Sequence, residues 1–419
     1  MIPLELAQER IDRDVHRLAP ETVETANASG LIVAEEVRSD VQIPPFVSVA
    51  MDGFAVVASD TVGASEDNPV ELTVVETVAA GSVAQAKMAS GEAIRIMTGA
   101  PLPDGADAVV MVELTEMAAA GSDGRERVRV SAEVPYWNNL RDAGSAVAEG
   151  DVMVTAGTLI GPAHVGLLSS VGVAKLSVFR RPRVGVLSTG DELVHPSESL
   201  GPGEIYDSNR PMLLALVAAS GCTPVDLGHC PDDEAQIEQI YRTGAETCDA
   251  LISSGGVSMG DFDPVKAVLG RLAEMSWMQI AIKPAKPLSF GLVANTPVFG
   301  LPGNPVSAAV SFELFARPNL RKMAGDLRPH RRMVSAISDE VLGRRADGKV
   351  HFVRVVVSHQ IDGALHVRSA GAQQSHQLGA LAAANGLAVL ADGVTVQEGG
   401  RVSVLLTDRS VFSSSVPVA

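Results

Sequence analysis

Cysteine, aromatic side chains, clustered positive charge and long apolar runs are all scarce in this sequence. Its three cysteines, Cys222, Cys230 and Cys248, form no C-x-x-C pair and no zinc-ligand spacing. That excludes a zinc ribbon and leaves buried thiols of a reducing compartment. Aromatic residues are 4% of the chain and hydrophobic residues 46%, so small aliphatic side chains must build the cores. The formal net charge is −17 and the densest basic run is only RPHRR at 328–332, which excludes a nucleic-acid surface. The longest apolar stretch, 212–220, is about half of a bilayer span. Residues 1–20 are polar and acidic without an apolar signal core. A cytoplasmic protein with no membrane partner is expected. Also missing are a Walker loop, a G-x-G-x-x-G fingerprint and a nucleophile elbow.

What is present describes a multidomain chain of class α/β plus β, since 419 residues are too many for one core. Residues 1–43 and 141–176 read as an N-terminal, mainly helical connecting domain. Leu4, Leu6, Ile11, Val15 and Leu18 mark an amphipathic helix, and 21–34 continues it less regularly toward a stop at Gly30. Residues 44–140 carry short β-like runs broken by Gly, Pro and Asp, a separate β-rich domain. Residues 177–327 alternate strands near 184–188, 224–228, 250–253 and 279–282 with helical runs at 209–219, 233–245 and 265–272. That pattern predicts βαβ units and a doubly wound parallel sheet, with ligands at the carboxyl ends of its strands. Residues 328–419 form a small C-terminal β domain.

The polar residues of the α/β domain gather at that carboxyl edge. Ser253, Ser254, Gly255 and Gly256 follow an apolar strand, where bare backbone can turn several N–H groups toward a phosphate. In Lys283-Pro284-Ala285-Lys286-Pro287 the prolines favour a polyproline-like rod, with the two lysines projecting from one side roughly 9 Å apart, suited to a small divalent oxyanion. Leu301-Pro302-Gly303-Asn304-Pro305 is a sharp turn into an apolar helix, whose N-terminus adds partial positive charge. Asp191, Asp232 and Asp233 stand where an aspartate ordinarily caps a helix, or where one or two carboxylates could hold Mg²⁺ beside a phosphate.

The combination of GGVSMGDFD (255–263), KPAKP (283–287) and GLPGNPVS (300–307) resembles the molybdopterin molybdenumtransferase family, the MoeA and gephyrin E-domain proteins. The resemblance extends to AMDGFA (50–55), RIMTGAPLP (95–103), STGDEL (188–193), the Asp232-Asp233 pair, His351-Phe352-Val353-Arg354 and Gln374-Ser375-His376, in order along nearly the whole chain. It departs from the family at two places. Val47-Ser48-Val49 replaces an Asp-Asn-Ser, and Ser145 and Ala146 replace an acidic pair after Arg141 and Gly144, with Asp142 in a neighbouring position.

The resemblance implies a homodimer in which the β-rich domain faces the partner's active site, and insertion of molybdate into adenylylated molybdopterin with release of AMP, dependent on Mg²⁺. Lys283, Lys286, Arg354 and Ser375 would hold molybdate. Thr98, Thr189, Gly190, Ser254, Gly255, Gly256, Ser258, Pro302 and Asn304 would bind the pterin and its phosphates. Asp52, Asp261, Asp263 and Glu192 would be catalytic, with Asp232, Glu192 and Asp263 at the metal. Molybdopterin adenylyltransferase and molybdenum-enzyme apoproteins are the implied partners. Two alternatives stay open: a catalytically weakened dimeric scaffold, and an active paralogue using tungstate.

Overall fold

The alternation of apolar residues in the α/β segment becomes, in the computed structural model, a sheet covered on both faces. Residues 1–79, 81–256, 264–343 and 345–407 are described. Along the strands Arg183–Thr189, Ala250–Ser254 and Thr296–Leu301, Val184, Val186, Ile252, Phe299 and Leu301 enter one core while Leu187, Leu251 and Val298 enter the other. This is the period-two alternation of a strand buried from both sides. The helix Asn209–Ala219 places Leu213 and Val217 in the first core. The helices Glu234–Thr247 and Pro264–Leu272 place Ile237, Tyr241, Val268 and Leu269 in the second.

Six strands form this sheet, in the order Thr223–Cys230, Arg183–Thr189, Ala250–Ser254, Thr296–Leu301, Pro287–Val293, Ser276–Gln279. The first four are parallel, and the last two add an antiparallel edge to the expected parallel sheet. The edge exists because Ala294 and Asn295, at φ +47° and +69°, close a two-residue turn between Val293 and Thr296. Both central residues at positive φ is the hairpin geometry that matches strand twist, but Ala at its first position carries no turn signal.

The N-terminal unit is less helical than its sequence predicts. Helix Leu4–Asp14 forms, but its buried Ala7 and Ile11 share the main α/β core with Phe312 and Phe315. Residues 21–34, expected to continue as helix, instead give the strands Pro20–Glu24 and Ile32–Val33, both antiparallel to Lys175–Phe179. The β-branched Thr22 and Val23 pair with a distant segment, and that tertiary pairing overrides a weak local helical pattern. The β-rich domain is a six-stranded sheet that includes Gly53–Val56, Glu92–Ile96 and Ala108–Met111.

The C-terminal β domain closes on itself, because strand Val350–His359 pairs with both Leu365–Ser369 and Gly386–Leu390. Its edge is extended by Ile282–Lys283 of the α/β segment, parallel to Val350 and His351. The three cysteines are buried, and burial pushes the Cys222 thiol up to about 12, as expected for packing thiols. Among the described residues no helix is long and apolar enough to cross a membrane.

Candidate functional site

The carboxyl edge of the parallel strands is built by close backbone approach. Ser188 lies opposite Ser254, and Ser254 opposite Leu301. The chain then turns at Gly255, φ +102°, whose N–H donates to the Leu301 carbonyl at 3.2 Å. A Cβ at Gly255 would stand 3.0 Å from both the carbonyl and the hydroxyl oxygen of Thr189, so the position combines positive φ with crowding. Gly256 follows at φ +68°. Thr189, Gly190, Ser254, Gly255 and Gly256 are therefore brought together with the turn carrying Pro302 and Asn304. Ser258, Asp261 and Asp263 lie outside the described residues.

Asn209 was not singled out from sequence, yet it ties this edge together. Its side-chain amide donates to Ser254 Oγ at 2.7 Å and to the Gly303 carbonyl at 2.6 Å. Just before it, buried Asp207 accepts from Ser188 Oγ at 2.6 Å and from Arg210 Nε at 3.0 Å. The available signal was the run Asp207-Ser208-Asn209-Arg210 at a helix start, which reads as ordinary capping chemistry. A cavity of about 270 Å³ opens here, lined by Tyr206, Asn209, Gly303, Asn304 and, from the C-terminal domain, His376.

The lysine segment sits at the same edge, though not as a rod. Register Ser289↔Gly300 puts Pro287, and the loop before it, where the parallel strands end. The Ile280 N–H donates to the Lys286 carbonyl at 2.8 Å, Lys283-Pro284 is cis and Ala285 has φ +74°. The segment is thus a closed loop, and the expected polyproline rod is not adopted. The physical reason is pairing: Ile282–Lys283 is drawn into the C-terminal sheet, while buried Ala285 packs into the main core. Lys283 Nζ reaches Asp347 Oδ2 at 3.4 Å. Lys286 is exposed.

The acids divide into cappers and exposed carboxylates. Asp233 caps the helix Glu234–Thr247, accepting from the N–H groups of Ala235 and Gln236 at 2.9 and 3.0 Å. The Gln236 N–H is the main cause holding its carboxyl below the usual range. Asp191 Oδ1 accepts the Asp232 N–H at 2.9 Å, and the Gly190 carbonyl accepts from His229 Nε2 at 2.8 Å, so the 189–192 loop is pinned to the next strand end. Glu192 is exposed beside Gly190. Among the described residues no three His, Cys, Asp or Glu side chains converge as a metal site. Glu192 and Asp232 are hard oxygen donors of the kind Mg²⁺ takes when substrate phosphates supply the rest.

In the β-rich domain the structure joins two motifs that are far apart in sequence. Asp52 Oδ1 accepts from both the N–H and the hydroxyl of Thr98, each at 2.7 Å. The backbone N–H first, and the hydroxyl second, hold the Asp52 carboxyl below the usual range. The segments carrying the two departures from the family pattern run side by side: Leu140 and Arg141 pair with Val49 and Ser48, and Gly144 N–H donates to the Pro44 carbonyl at 2.8 Å. Asp142 accepts from Trp137 Nε1 at 3.0 Å.

Arg354 has no accessible surface, which rules out the exposed-strand position that its sequence alone would suggest. Its Nη2 donates to the carbonyls of Ala372 at 2.9 Å and Gln374 at 3.3 Å, and its backbone exchanges bonds with the Gln373 amide. Arg354 thereby shapes the loop bearing Ser375, whose carbonyl accepts from the Val306 N–H at 3.2 Å. Ser375 is brought to the 300–307 turn; Arg354 supports it from beneath.

A doubly wound sheet with glycines, serines and a lysine loop at its carboxyl edge defines an α/β protein of the class that takes ligands outside its strand ends, and residues 185–322 match the family described as probable molybdopterin binding domain. Residues 2–172 match the MoeA N-terminal region (domain I and II) and residues 344–407 the MoeA C-terminal region (domain IV). The chain belongs to the MoeA family of molybdopterin molybdenumtransferases, enzymes of molybdenum cofactor biosynthesis. It is 40% identical to molybdopterin molybdenumtransferase 2 of Mycobacterium tuberculosis, covering 92% of this chain and 94% of that one. It is 38% identical to the molybdopterin molybdenumtransferase of Haemophilus influenzae, over 90% and 89%. A solved molybdopterin biosynthesis MoeA protein from Pyrococcus horikoshii superimposes with a TM-score of 0.81 at 30% identity, covering 97% of this chain and 99% of that one.

Proposed function

We propose that the protein inserts molybdate into adenylylated molybdopterin, releasing AMP, in a Mg²⁺-dependent reaction carried out by a homodimer. The observation that carries this reading is the loop 280–286, which carries Lys283 and Lys286 and leads into Pro287 at the strand edge where Gly255, Gly256, Ser254 and Thr189 meet. Lys283 and Lys286 hold the tetrahedral dianion through charge-assisted contacts, with the Ser375 hydroxyl as a further donor. Gly255 and Gly256, with Ser254, Thr189 and Gly190, cradle the pterin phosphate, and Asn304 lines the adjoining cavity. Arg354 acts through the 372–375 loop it holds.

The β-rich domain of one protomer supplies Asp52, ordered by Thr98, to the site of the other. Glu192 and Asp232, with Asp263, would hold Mg²⁺, which when bound neutralises charge on the phosphoanhydride. Catalysis is then positioning and charge compensation, without a protein nucleophile.

Substitution Lys286→Ala tests the reading. Molybdate binding, followed by titration calorimetry, should fall at least tenfold while pterin binding changes little. Equal loss of both, or loss of neither, removes the lysine loop from the oxyanion site.

A further inference from the structure

We infer that Asp347 is an internal counter-ion that competes with the substrate oxyanion for Lys283. The inference rests on the reading that the lysine loop holds that oxyanion. Because Ile282–Lys283 joins the C-terminal barrel, with Lys283 opposite His351 and the Val350 N–H donating to the Ala281 carbonyl at 2.9 Å, the lysine lies against the turn that precedes strand Val350–His359. That turn is fixed in place: Asp392 Oδ1 accepts the N–H groups of Asp347 and Gly348 at 2.8 and 3.0 Å.

Asp347 has three partners there, and they are unequal. Oδ1 accepts from His351 Nε2 at 2.9 Å, and Oδ2 from Lys349 Nζ at 3.2 Å and from Lys283 Nζ at 3.4 Å. The Lys283 contact is the longest, and its side chain is 60% exposed against 20% for Lys349 and 6% for His351. His351 and then Lys349 hold the Asp347 carboxyl well below the usual range, so the carboxylate stays ionised when Lys283 leaves. A fixed carboxylate with two other partners loses little by releasing its most exposed one.

The two lysines therefore play different parts. Lys286 is exposed, with no ion pair to a described residue, and makes the first contact with an incoming dianion. Lys283 is recruited by exchange from Asp347, whose negative charge remains beside the site and weakens retention of the anion. An oxyanion must outcompete a carboxylate to engage both lysines, which favours a dianion over a singly charged one.

Asp347→Asn keeps the side-chain shape and removes the charge. Molybdate affinity of the full-length variant, measured calorimetrically at fixed ionic strength, should rise about two- to fivefold, the scale of an exposed ion pair. The gain should vanish in a Lys283→Ala background. Without any oxyanion, acylation of Lys283 by an amine-reactive ester, followed by peptide mass spectrometry, should accelerate in Asp347→Asn while Lys286 reacts as before. Asp347→Ser serves as a second variant should the first melt early. Unchanged acylation would overturn the pairing. Faster acylation with unchanged or weaker molybdate binding would overturn the competition, as would a gain that survives in Lys283→Ala. If Lys286→Ala leaves molybdate binding intact, the lysine-loop reading itself fails and the competition with it, while the acylation result still judges the pair.

Discussion

Single carboxylates in this protein are set by one or two close hydrogen-bond donors. Asp52 is the clearest case: it is solvent-facing, yet two donors from Thr98 favour its ionised form. Thr98→Val deletes the hydroxyl and leaves the backbone donor, so the Asp52 carboxyl should titrate higher than in the parent while remaining below an ordinary aspartate. Carbonyl-carbon NMR titration reads this directly, and an unmoved Asp52 would show that the hydroxyl contributes nothing. The sign is that of a depressed acid: the stabilisation is present above the ordinary carboxylate range and is lost as pH falls through the native value. Sequence could place Asp52 and Thr98 in meaningful motifs, because each motif is distinctive. It could not reveal that the two side chains touch, since a long-range contact leaves no local trace. Asn209 was hidden for the converse reason, as its surroundings look like an unremarkable helix start.

At the scale of elements, the legible features were those with a strong period. Strands 184–188, 224–228 and 250–253 and the three helices alternate cleanly because both faces of the sheet are buried, and they were visible at nearly their observed bounds. The strand expected at 279–282 was not found as such, since Ser276–Gln279 and Ile282–Lys283 lie in different sheets, and the fourth parallel strand is Thr296–Leu301. Nor was the antiparallel edge visible, because its turn uses Ala294 where glycine or asparagine would have announced it. Gly53 shows the opposite error. Asp52-Gly53 reads as a turn, but Gly53 opens the strand Gly53–Val56, and a Cβ there would overlap the Val110 carbonyl oxygen of the neighbouring strand. The glycine is needed for close approach of two backbones. Gly53→Ala should therefore destabilise the β-rich domain by about 1–3 kcal/mol or more, seen as a lowered urea midpoint with an unchanged slope. An unchanged midpoint would mean that the sheet opens without cost at this point. The lysine loop is a further lesson: two prolines suggested a rod, and strand pairing with another domain made it a closed loop instead.

For the whole molecule, the consequential arrangement is that one short strand, Ile282–Lys283, belongs by sequence to the α/β segment and by pairing to the C-terminal barrel. Together with Ser375 bonded to Val306, and His376 lining the cavity beside Asn304, it puts the proposed oxyanion site at the junction between two domains. The ordered motifs foresaw the family; the pairing across this seam leaves no local trace in the sequence. The segments carrying the replacements at 47–49 and 145–146 run side by side, since Leu140 and Arg141 pair with Val49 and Ser48 and the Ala146 N–H donates to the Ile43 carbonyl. The central claim is that this junction performs anion-dependent cleavage of an adenylylated pterin. It is tested most directly by AMP release from adenylylated molybdopterin, with and without molybdate and Mg²⁺, using Lys286→Ala as control. The account predicts release that requires molybdate and is lost in the control. A folded protein that binds the pterin yet releases no AMP with any oxyanion would contradict it.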